Sequence, residues 1–405
     1  MHAAWLRRSL GCALFIAALV LLSRGGLAQA PPVRIGELNS YNRFAAFAVP
    51  YRNGMQLAEE QINAKGGVLG GRKLEIVFRD DGATPGDAVR VAQELLTREG
   101  VAFLAGTFLS NVGLAVADFA NQKATLFLAT EPLTDAITMA QGNKYTYRVR
   151  PSTYMQTRML VEAVKARGVK KWAIVAPNYE YGQSASTNFK RLIGGATPGA
   201  EIAAEQFPAL GKLDAGATVA ALANAKPEGI FNVLFGADLT VFVREGNIRG
   251  LFEGRTVASL LTGEPEYLLP LGEETPEGWI VTGYPWDEIP DPAHKAFVAA
   301  YRAKFNDTPR LGSLLGYVVG FMMRDMLDRA GSTDTEKLLA ALHDARFDTV
   351  VGPVTMRGLD HQSTLGAWVG ETTRREKAGA MKNWRYEDGA RYLFPEAEVK
   401  AQRKG

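Results

Sequence analysis

The chain is 405 residues long and nearly neutral, with 46 lysine and arginine side chains against 43 aspartate and glutamate side chains. Its basic residues are scattered, which argues against a nucleic-acid-binding face. Cys12 is the only cysteine, so an intramolecular disulfide is excluded and stability must come from packed cores. A chain of this length is expected to form two domains rather than one.

Residues 1–30 have the parts of a secretory signal peptide. Two arginines precede an uncharged apolar run over residues 10–22, and small residues follow it. The run is shorter than the about 20 residues of a membrane-spanning helix, so an uncleaved anchor is only the alternative. We predict cleavage after Ala28 or Ala30 and export to the periplasm. Cys12 stands within the run, where a lipid-modified cysteine is not expected, and would leave with the signal peptide.

After the signal peptide, short apolar segments alternate with amphipathic ones. Strands are predicted at residues 33–38, 73–78, 101–105 and 125–129. Between them, apolar side chains at helical spacing predict one helix that stops at Gly66 and Gly67 and another that begins at Pro85. Short, wholly apolar strands between amphipathic helices are typical of a parallel sheet that is covered on both faces.

The same pattern restarts near residue 153. Further strands are predicted at residues 171–176, 229–235 and 256–261, and helices at 153–167, 184–193 and 239–248. From residue 290 the chain is mostly helical, with helices predicted at 293–305, 311–330 and 335–345. If this block packs on the first sheet, the chain crosses between the two units more than once, which makes a hinge.

Motifs for catalysis are absent from the sequence, including the nucleophile elbow, the zinc-binding His-Glu-x-x-His and the phosphate-binding loop. The glycine-rich segment 66–71 follows a helix instead of a strand, which predicts a helix stop and turn and not a dinucleotide loop. Beyond the signal peptide, His294, His343 and His361 stand far apart, and the pair Asp80-Asp81 suits a turn and cap. We therefore predict no enzyme, no metal and no cofactor.

Several motifs resemble those of one family when they are taken in order. They are INAKGGV at residues 62–68 with GRKL and RDD after it, VAPNYEYG at residues 175–182, and VVGPV at residues 350–354. Together they resemble the branched-chain amino-acid-binding type of periplasmic solute-binding proteins, the capture components of ABC importers. The resemblance covers essentially the whole mature chain.

The resemblance implies an α/β fold of two doubly wound lobes with parallel central sheets, the type I periplasmic binding fold, joined by a hinge of three crossings. The crossings are expected near residues 148–151, 283–286 and 352–354. Lobe 1 would comprise residues 31–149 plus 285–352, and lobe 2 residues 150–284 plus 353–405. The implied partners are a small-molecule solute and a membrane permease, and a monomer is expected.

Ligands of open α/β sheets lie beyond the carboxyl ends of the strands. In lobe 1, three such loops carry the candidates Tyr41 and Arg43, then Phe108 and Ser110, then Glu131 and Leu133. The resemblance implies that Ser110 binds a ligand carboxylate beside the free N–H groups of a helix start. Capping of the helix expected from Val112 is the alternative.

Other lobe 1 candidates suggest the chemistry of the ligand. Arg43 could clamp a carboxylate in bidentate fashion or remain a solvated charge at the rim. Glu131 could meet a cation, and Leu133 could line an apolar pocket. If Phe44, Phe47 and Phe108 line the cleft, the ligand is expected to be aromatic or otherwise bulky.

In lobe 2 the resemblance implies that Tyr181 covers the ligand, with core packing as the alternative. An amino acid's ammonium group would need an acidic partner, because an unpaired buried charge is very costly. Asp238 and Glu264 follow strands of this lobe and are the candidates.

The sequence thus predicts a protein that closes around a small carboxylate-bearing solute, either a branched-chain or other amino acid or an aromatic acid, and then docks on a permease. Two alternatives stay open. A ligand sensor of the amide-binding type would feed a signalling partner instead, and an exported α/β hydrolase would need a nucleophile with a base.

Overall fold

The computed structural model describes residues 30–403, so the predicted signal peptide lies almost wholly outside the described residues. Two β-sheets organise this part of the chain, one of five strands and one of seven, and a two-stranded hairpin accompanies them. Helices cover both sheets, as the apolar strands predict. No helix among residues 30–403 is long and apolar enough to cross a membrane.

The five-stranded sheet contains the first strands of the chain, which are β1 (Val33–Asn39), β2 (Leu74–Asp80), β3 (Leu104–Gly106), β4 (Phe127–Ala129) and β5 (Thr146–Arg148). The helices between them are α1 (Ala45–Ala64), α2 (Pro85–Thr97) and α3 (Ser110–Gln122). All neighbouring strands are parallel, in the order β2-β1-β3-β4-β5. The predicted parallel sheet is confirmed, with β3 and β4 shorter than expected.

The seven-stranded sheet continues with β6 (Lys171–Val175), β7 (Glu201–Gln206), β8 (Gly229–Asn232), β9 (Thr256–Gly263) and β10 (Ile280–Gly283). Its helices are α4 (Thr153–Val164), α5 (Glu180–Ala196), α6 (Ala215–Asn224), α7 (Gly236–Ile248) and α8 (Pro265–Leu271). These five strands are parallel, in the order β10-β9-β8-β6-β7. Short 3-10 turns lie at Asp135–Ile137, Lys165–Arg167, Gly272–Glu274 and Gly389–Arg391.

The last third of the chain contributes elements to both sheets or to the helical layers that cover them. It contains helices α9 (Pro292–Phe305), α10 (Leu311–Ala330), α11 (Thr335–Leu342) and α12 (Glu396–Gln402), the hairpin strands β11 (Arg346–Thr349) and β12 (Gly352–Thr355), and the strands β13 (Ala367–Arg375) and β14 (Ala378–Glu387). Strands β13 and β14 extend the seven-stranded sheet in antiparallel fashion beside β10. The sequence did not predict this extension.

Helix α10 packs closely on α1, which returns the late helical block to the five-stranded sheet as expected. Gly54 of α1 and Gly316 of α10 make this approach possible, because a Cβ at either position would collide with a backbone carbonyl, that of Ser313 or that of Tyr51. Small residues at such contacts let two helix backbones come close together.

The third expected crossing, near residues 352–354, needs a correction. Gly352–Thr355 pairs with Arg346–Thr349 in an antiparallel hairpin and does not lead into the seven-stranded sheet. Instead, the chain near Gln362 runs parallel to Arg148 of the first crossing, and β13 follows. The Gly-Pro pair therefore marks a hairpin, and the boundaries of the two lobes stay a prediction.

Candidate ligand-binding site

An inner pocket lies where loops at the carboxyl ends of strands from both sheets meet. The five-stranded side contributes Phe108, Ser110, Glu131 and Leu133. The first crossing and the seven-stranded side contribute Arg150, Tyr179, Tyr181, Phe235, Leu261 and Tyr267. The free space between these side chains is about 20 Å³, so the two sides are closely apposed. Five of the nine residues predicted for the site line this pocket.

Ser110 is the first residue of α3 and is 2% exposed. Its hydroxyl oxygen accepts the backbone N–H groups of Leu133 and Thr134, both at 3.2 Å. Its side chain caps no amide of its own helix, and Leu109 is the flanking residue, so the alternative of a capping role is wrong. Because a hydroxyl can donate while it accepts, its proton remains for an anion in the pocket.

The loop that carries Leu133 is held from behind by Arg148. This fully buried guanidinium donates to the carbonyl oxygens of Leu133, at 3.2 Å, and Thr134, and to the hydroxyl of Thr138 at 3.1 Å. Charge-assisted bonds of this kind fix a loop firmly. The backbone N–H groups of Leu133 and Thr134, which donate to Ser110, are therefore held in position.

Glu131 brings a buried carboxylate to the pocket. It is 3% exposed and accepts the side-chain N–H of Asn39 at 2.9 Å. Burial raises the pKa of Glu131 to about 7, although Asn39 and the guanidinium of Arg150 favour its charged form. No ion pair joins Glu131 to another residue within 30–403, so its charge is only partly compensated.

Arg150 is the main residue of the pocket that the sequence analysis missed as a ligand candidate. Its guanidinium is 5% exposed and forms a buried ion pair with Glu264. Glu264 lies behind Arg150, against a separate small cavity near the hinge. Burial raises the pKa of Glu264 to about 8, with Arg150 opposing and Glu266 adding to the rise.

Aromatic rings close the pocket from both sides. Phe47 and Phe108, from the five-stranded side, stack with ring centroids 5.2 Å apart. Phe235 and Tyr267, from the seven-stranded side, lie 6.0 Å from Phe108 and 5.5 Å from Phe47. Phe44 joins the cluster at 5.4 Å from Phe108. The three phenylalanines predicted from the sequence thus all lie at the cleft.

Tyr181 adds a polar group to this aromatic wall. It is 2% exposed, and its hydroxyl has no hydrogen-bond partner among the described residues. An unsatisfied buried hydroxyl costs free energy. A ligand that accepts or donates a hydrogen bond here would remove this cost and bind more tightly. Tyr179 lies beside it, with ring centroids 6.1 Å apart.

A larger cavity of about 540 Å³ opens at the mouth of the cleft, beyond the phenylalanine cluster. Arg43 and Asp238 line this mouth cavity and not the inner pocket. The carboxylate of Asp238 already accepts the N–H groups of Gly211 at 2.7 Å and Leu213 at 3.4 Å. Arg43 is exposed, with its guanidinium 6.0 Å from the ring of Phe44.

Tyr41 lines neither space. Its hydroxyl donates to the carboxylate of Glu37, and its ring packs edge-on against Phe78 at 6.3 Å. It is a core residue of the five-stranded side in this structure. The buried histidines also stand apart, since His294 pairs with the hydroxyl of Tyr284 at 2.6 Å and His361 lies against the carbonyl of Thr146 at 3.0 Å.

Two α/β units that enclose a polar pocket between them, with crossings at one side, define a two-lobed solute-binding protein. The chain belongs to the periplasmic binding protein family, whose model matches residues 33–379. It is similar to the leucine-, isoleucine-, valine-, threonine- and alanine-binding protein of Pseudomonas aeruginosa, with 27% identity over 336 residues, 80% of this chain and 86% of that protein.

Solved structures share the fold. A solute-binding protein of an ABC transporter from Rhodopseudomonas palustris BisB5, in complex with 3,4-dihydroxybenzoic acid, superposes with a TM-score of 0.78 at 22% identity, covering 89% of this chain and 99% of that one. The closed conformation of the leucine-, isoleucine-, valine-, threonine- and alanine-binding protein of Brucella ovis gives 0.79 at 19% identity, covering 90% and 97%. The predicted type I periplasmic binding fold is confirmed.

Proposed function

We propose that this protein captures an amino acid with an aromatic or bulky apolar side chain in the inner pocket and presents it to the membrane permease of an ABC importer. The observation that carries the proposal is the pairing of opposite charges inside one aromatic pocket. Arg150 and Ser110 suit a carboxylate, and Glu131 suits an ammonium group. A zwitterion pairs with all of these groups, whereas an anion without an ammonium group pairs only with Arg150 and Ser110.

The carboxylate would meet Ser110 and Arg150. The Ser110 hydroxyl proton is free to donate, because the oxygen acts only as acceptor toward the Leu133 loop. Among the described residues, the guanidinium of Arg150 donates only to Glu264, which leaves further N–H groups for the bidentate geometry that carboxylates favour. Glu264 then acts as the support that holds Arg150 in place.

The ammonium group would meet Glu131. Arg150 and Glu264 neutralise each other, so the remaining carboxylate of the inner pocket is the group that lacks a cation. Bringing a cation to a buried carboxylate recovers a large part of its desolvation cost. Asp238 is less suited, because two backbone N–H groups already satisfy it.

The side chain of the solute would lie among the rings of Phe108, Tyr181, Phe235 and Tyr267, which would have to move apart to admit it, because the space between them is about 20 Å³ in this structure. Rings of this size offer the dispersion and edge-to-face contacts that aromatic ligands favour. One relative is named as binding leucine, isoleucine, valine, threonine and alanine, and one structure of the same fold was solved with 3,4-dihydroxybenzoic acid. An aromatic acid is therefore the second candidate, favoured by the ring cluster together with Arg150.

We further propose that the protein works as a monomer in the periplasm, after loss of the predicted signal peptide, and that the two lobes close by rotation about the crossings. We take the third crossing to lie near Gln362, which runs beside Arg148, so that lobe 1 would extend beyond the sequence-based boundary at residue 352. A sensor would use the same closure to address a signalling partner. Stimulation of the ATPase of the reconstituted permease by the solute-loaded protein separates transport from sensing, since a sensor would leave it unchanged.

The ligand class is tested with matched pairs of solutes. L-Phenylalanine and 3-phenylpropanoate differ only in the ammonium group, and L-leucine with benzoate completes the comparison. A solute that binds only the folded protein raises the Tm. We expect the largest rise with L-phenylalanine and a clearly smaller one with 3-phenylpropanoate. Equal or greater stabilisation by 3-phenylpropanoate would show that the solute is an aromatic acid.

A further inference from the structure

Glu266 makes a contact that the capture of a solute does not itself require. It stands in the first turn of α8 and is 7% exposed. Its carboxylate accepts the backbone N–H of Leu311 at 3.2 Å and that of Gly312 at 2.9 Å, the first two residues of α10. Both bonds are charge-assisted and lie at the positive end of a helix dipole.

These two bonds join the two sides of the cleft. Helix α8 follows β9 and packs on β9 and β14 of the seven-stranded sheet, whereas α10 packs on α1 beside the five-stranded sheet. A rotation that separates the two sheets would pull Glu266 away from Leu311 and Gly312. Such a rotation would break both bonds.

Helix α10 has one acceptor of its own at this end, the hydroxyl of Ser313, which accepts the N–H of Arg310 at 3.1 Å and leaves those of Leu311 and Gly312. The flanking residue is Arg310, whose side chain carries only donors, so the first amides of α10 need an acceptor from elsewhere or water. In the closed arrangement Glu266 is that acceptor. On opening, both the carboxylate and the amides return to water, so the contact shifts the equilibrium toward the closed form and the open form keeps no buried group unpaired at this place.

The residues on either side of Glu266 belong to the ligand site. Glu264 holds Arg150, and Tyr267 lines the inner pocket and contacts the ring of Phe47. One helical turn thus carries two residues of the solute site and, between them, the residue that bonds the opposite side. A solute that orders this turn also orders the carboxylate of Glu266.

We propose that Glu266 is a positioning residue that latches the two lobes shut on the solute by capping α10 from across the cleft. The inference rests on the proposed capture of a solute, but the latch itself is a contact between protein groups. It couples occupation of the inner pocket to the closed form, and a solute stabilises that form only by its differential affinity for it.

The test compares E266A and E266Q with the wild-type protein, and with E273Q as the matched control. Glu273 lies in the 3-10 turn that follows α8, is exposed, and its side chain forms no hydrogen bond or ion pair within residues 30–403. Amide hydrogen exchange of a peptide covering residues 306–316 reports the protection of Leu311 and Gly312. Calorimetric titration with L-phenylalanine gives the affinity.

We expect E266A to abolish the protection that L-phenylalanine confers on the 306–316 peptide and to weaken affinity roughly tenfold or more. E266Q should lose less, because its amide oxygen can still accept one N–H group. E273Q should match the wild-type protein in both measurements. Far-UV circular dichroism checks that each variant is folded, and E266Q serves as the reporter if E266A does not fold.

The outcomes separate the latch from the proposed function. If the variants at position 266 keep wild-type affinity and wild-type protection of residues 306–316, the latch is overturned while solute capture stands. If the wild-type protein binds none of the test solutes, solute capture of this class is overturned. Exchange of the ligand-free proteins then still tests the latch, which predicts faster exchange at Leu311 and Gly312 in E266A than in E273Q.

Discussion

At the scale of single residues, the cleft is governed by the balance of charge around Arg150. One guanidinium faces the carboxyl groups of Glu264, Glu131 and Glu266 at short range, and burial raises the pKa of all three carboxyls. A raised pKa means that the folded protein holds protons which the unfolded chain releases. The stabilising contribution of these groups therefore falls as the pH rises from about 4.5 toward 8.

The same shift gives a pH signature for the ligand. With the pKa of Glu131 at about 7, a ligand ammonium that requires the charged carboxylate should bind roughly tenfold more tightly at pH 8 than at pH 6. A ligand with only a carboxylate should show the opposite trend, because the protonated form of Glu131 repels it less. Calorimetric titration with L-phenylalanine between pH 6 and pH 8 shows whether the affinity rises or falls with pH.

The matched control for that measurement is E131Q, which removes the titrating group and keeps an acceptor for Asn39. We expect E131Q to bind L-phenylalanine weakly and without the rise in affinity between pH 6 and pH 8. Only the opposite trend from Glu264, whose pKa of about 8 lies in the same range, should remain. A wild-type affinity that falls as the pH rises would contradict the assignment of the ammonium group to Glu131.

The strand-end rule explains how far the site could be predicted from the sequence. Phe108, Ser110, Glu131 and Leu133 follow parallel strands whose carboxyl ends share one sheet edge, so their convergence follows from topology. The place of Arg150 depends on how closely a crossing passes the loop that bears Glu264. That distance is set by the packing of the two units, and local sequence patterns do not predict this packing.

At the scale of elements, burial and length together decided which strands were predicted, since β5 and β10 are buried but were missed because they are only three and four residues long. Strands with wholly apolar runs, such as β6 and β8, were predicted because both faces are covered. Strands β7, β13 and β14 were missed, because their residues are partly exposed and their sequences mix charged with apolar side chains. Edge strands often have this composition, so an alternating apolar pattern is weak there.

The contact between α1 and α10 depends on glycines that leave no room for a side chain. G54A places a methyl group against the carbonyl oxygen of Ser313, and since this obstacle is backbone, the helices must separate. We expect a loss of about 1–3 kcal/mol in the free energy of unfolding, measured by urea denaturation.

The control for G54A is G194A, in helix α5, where a Cβ would meet no atom within 4 Å. Alanine there should leave stability unchanged or raise it by about 0.5–1 kcal/mol, because the unfolded chain loses freedom. Equal stability of G54A and the wild-type protein would mean that α1 and α10 are not in close contact in solution.

At the scale of the whole molecule, the C-terminal segment ties the two units together behind the cleft. Phe394 stacks on Tyr154 of α4 with ring centroids 3.8 Å apart, and Glu398 pairs with Arg191 of α5 at 2.6 Å. These contacts fasten α12 to the side of the seven-stranded sheet. The next residues reach the other side, so the segment adds a further link beside the crossings.

Arg403 makes that link to the five-stranded side. Its guanidinium donates to the carbonyl oxygens of Thr138 at 2.7 Å, Asn143 at 2.9 Å and Asp360 at 3.2 Å. Thr138 is also bonded by Arg148, and Asp360 directly precedes the segment that runs beside the first crossing. The bonds of Arg403 therefore converge on the backbone that supports the hinge and the Leu133 loop.

Replacement of this arginine tests the link. R403A removes charge-assisted bonds to three carbonyl groups, and we expect a loss of about 1–3 kcal/mol in stability with a lower Tm. K400A is the control, because Lys400 lies in α12 just before Arg403, is exposed, and forms an ion pair only with Glu396 within residues 30–403. Exchange of the amides in residues 138–143 should rise in R403A and stay unchanged in K400A. If R403A and K400A unfold at the same temperature as the wild-type protein, the C-terminal segment contributes nothing to the hinge. The crossings alone then hold the two units together.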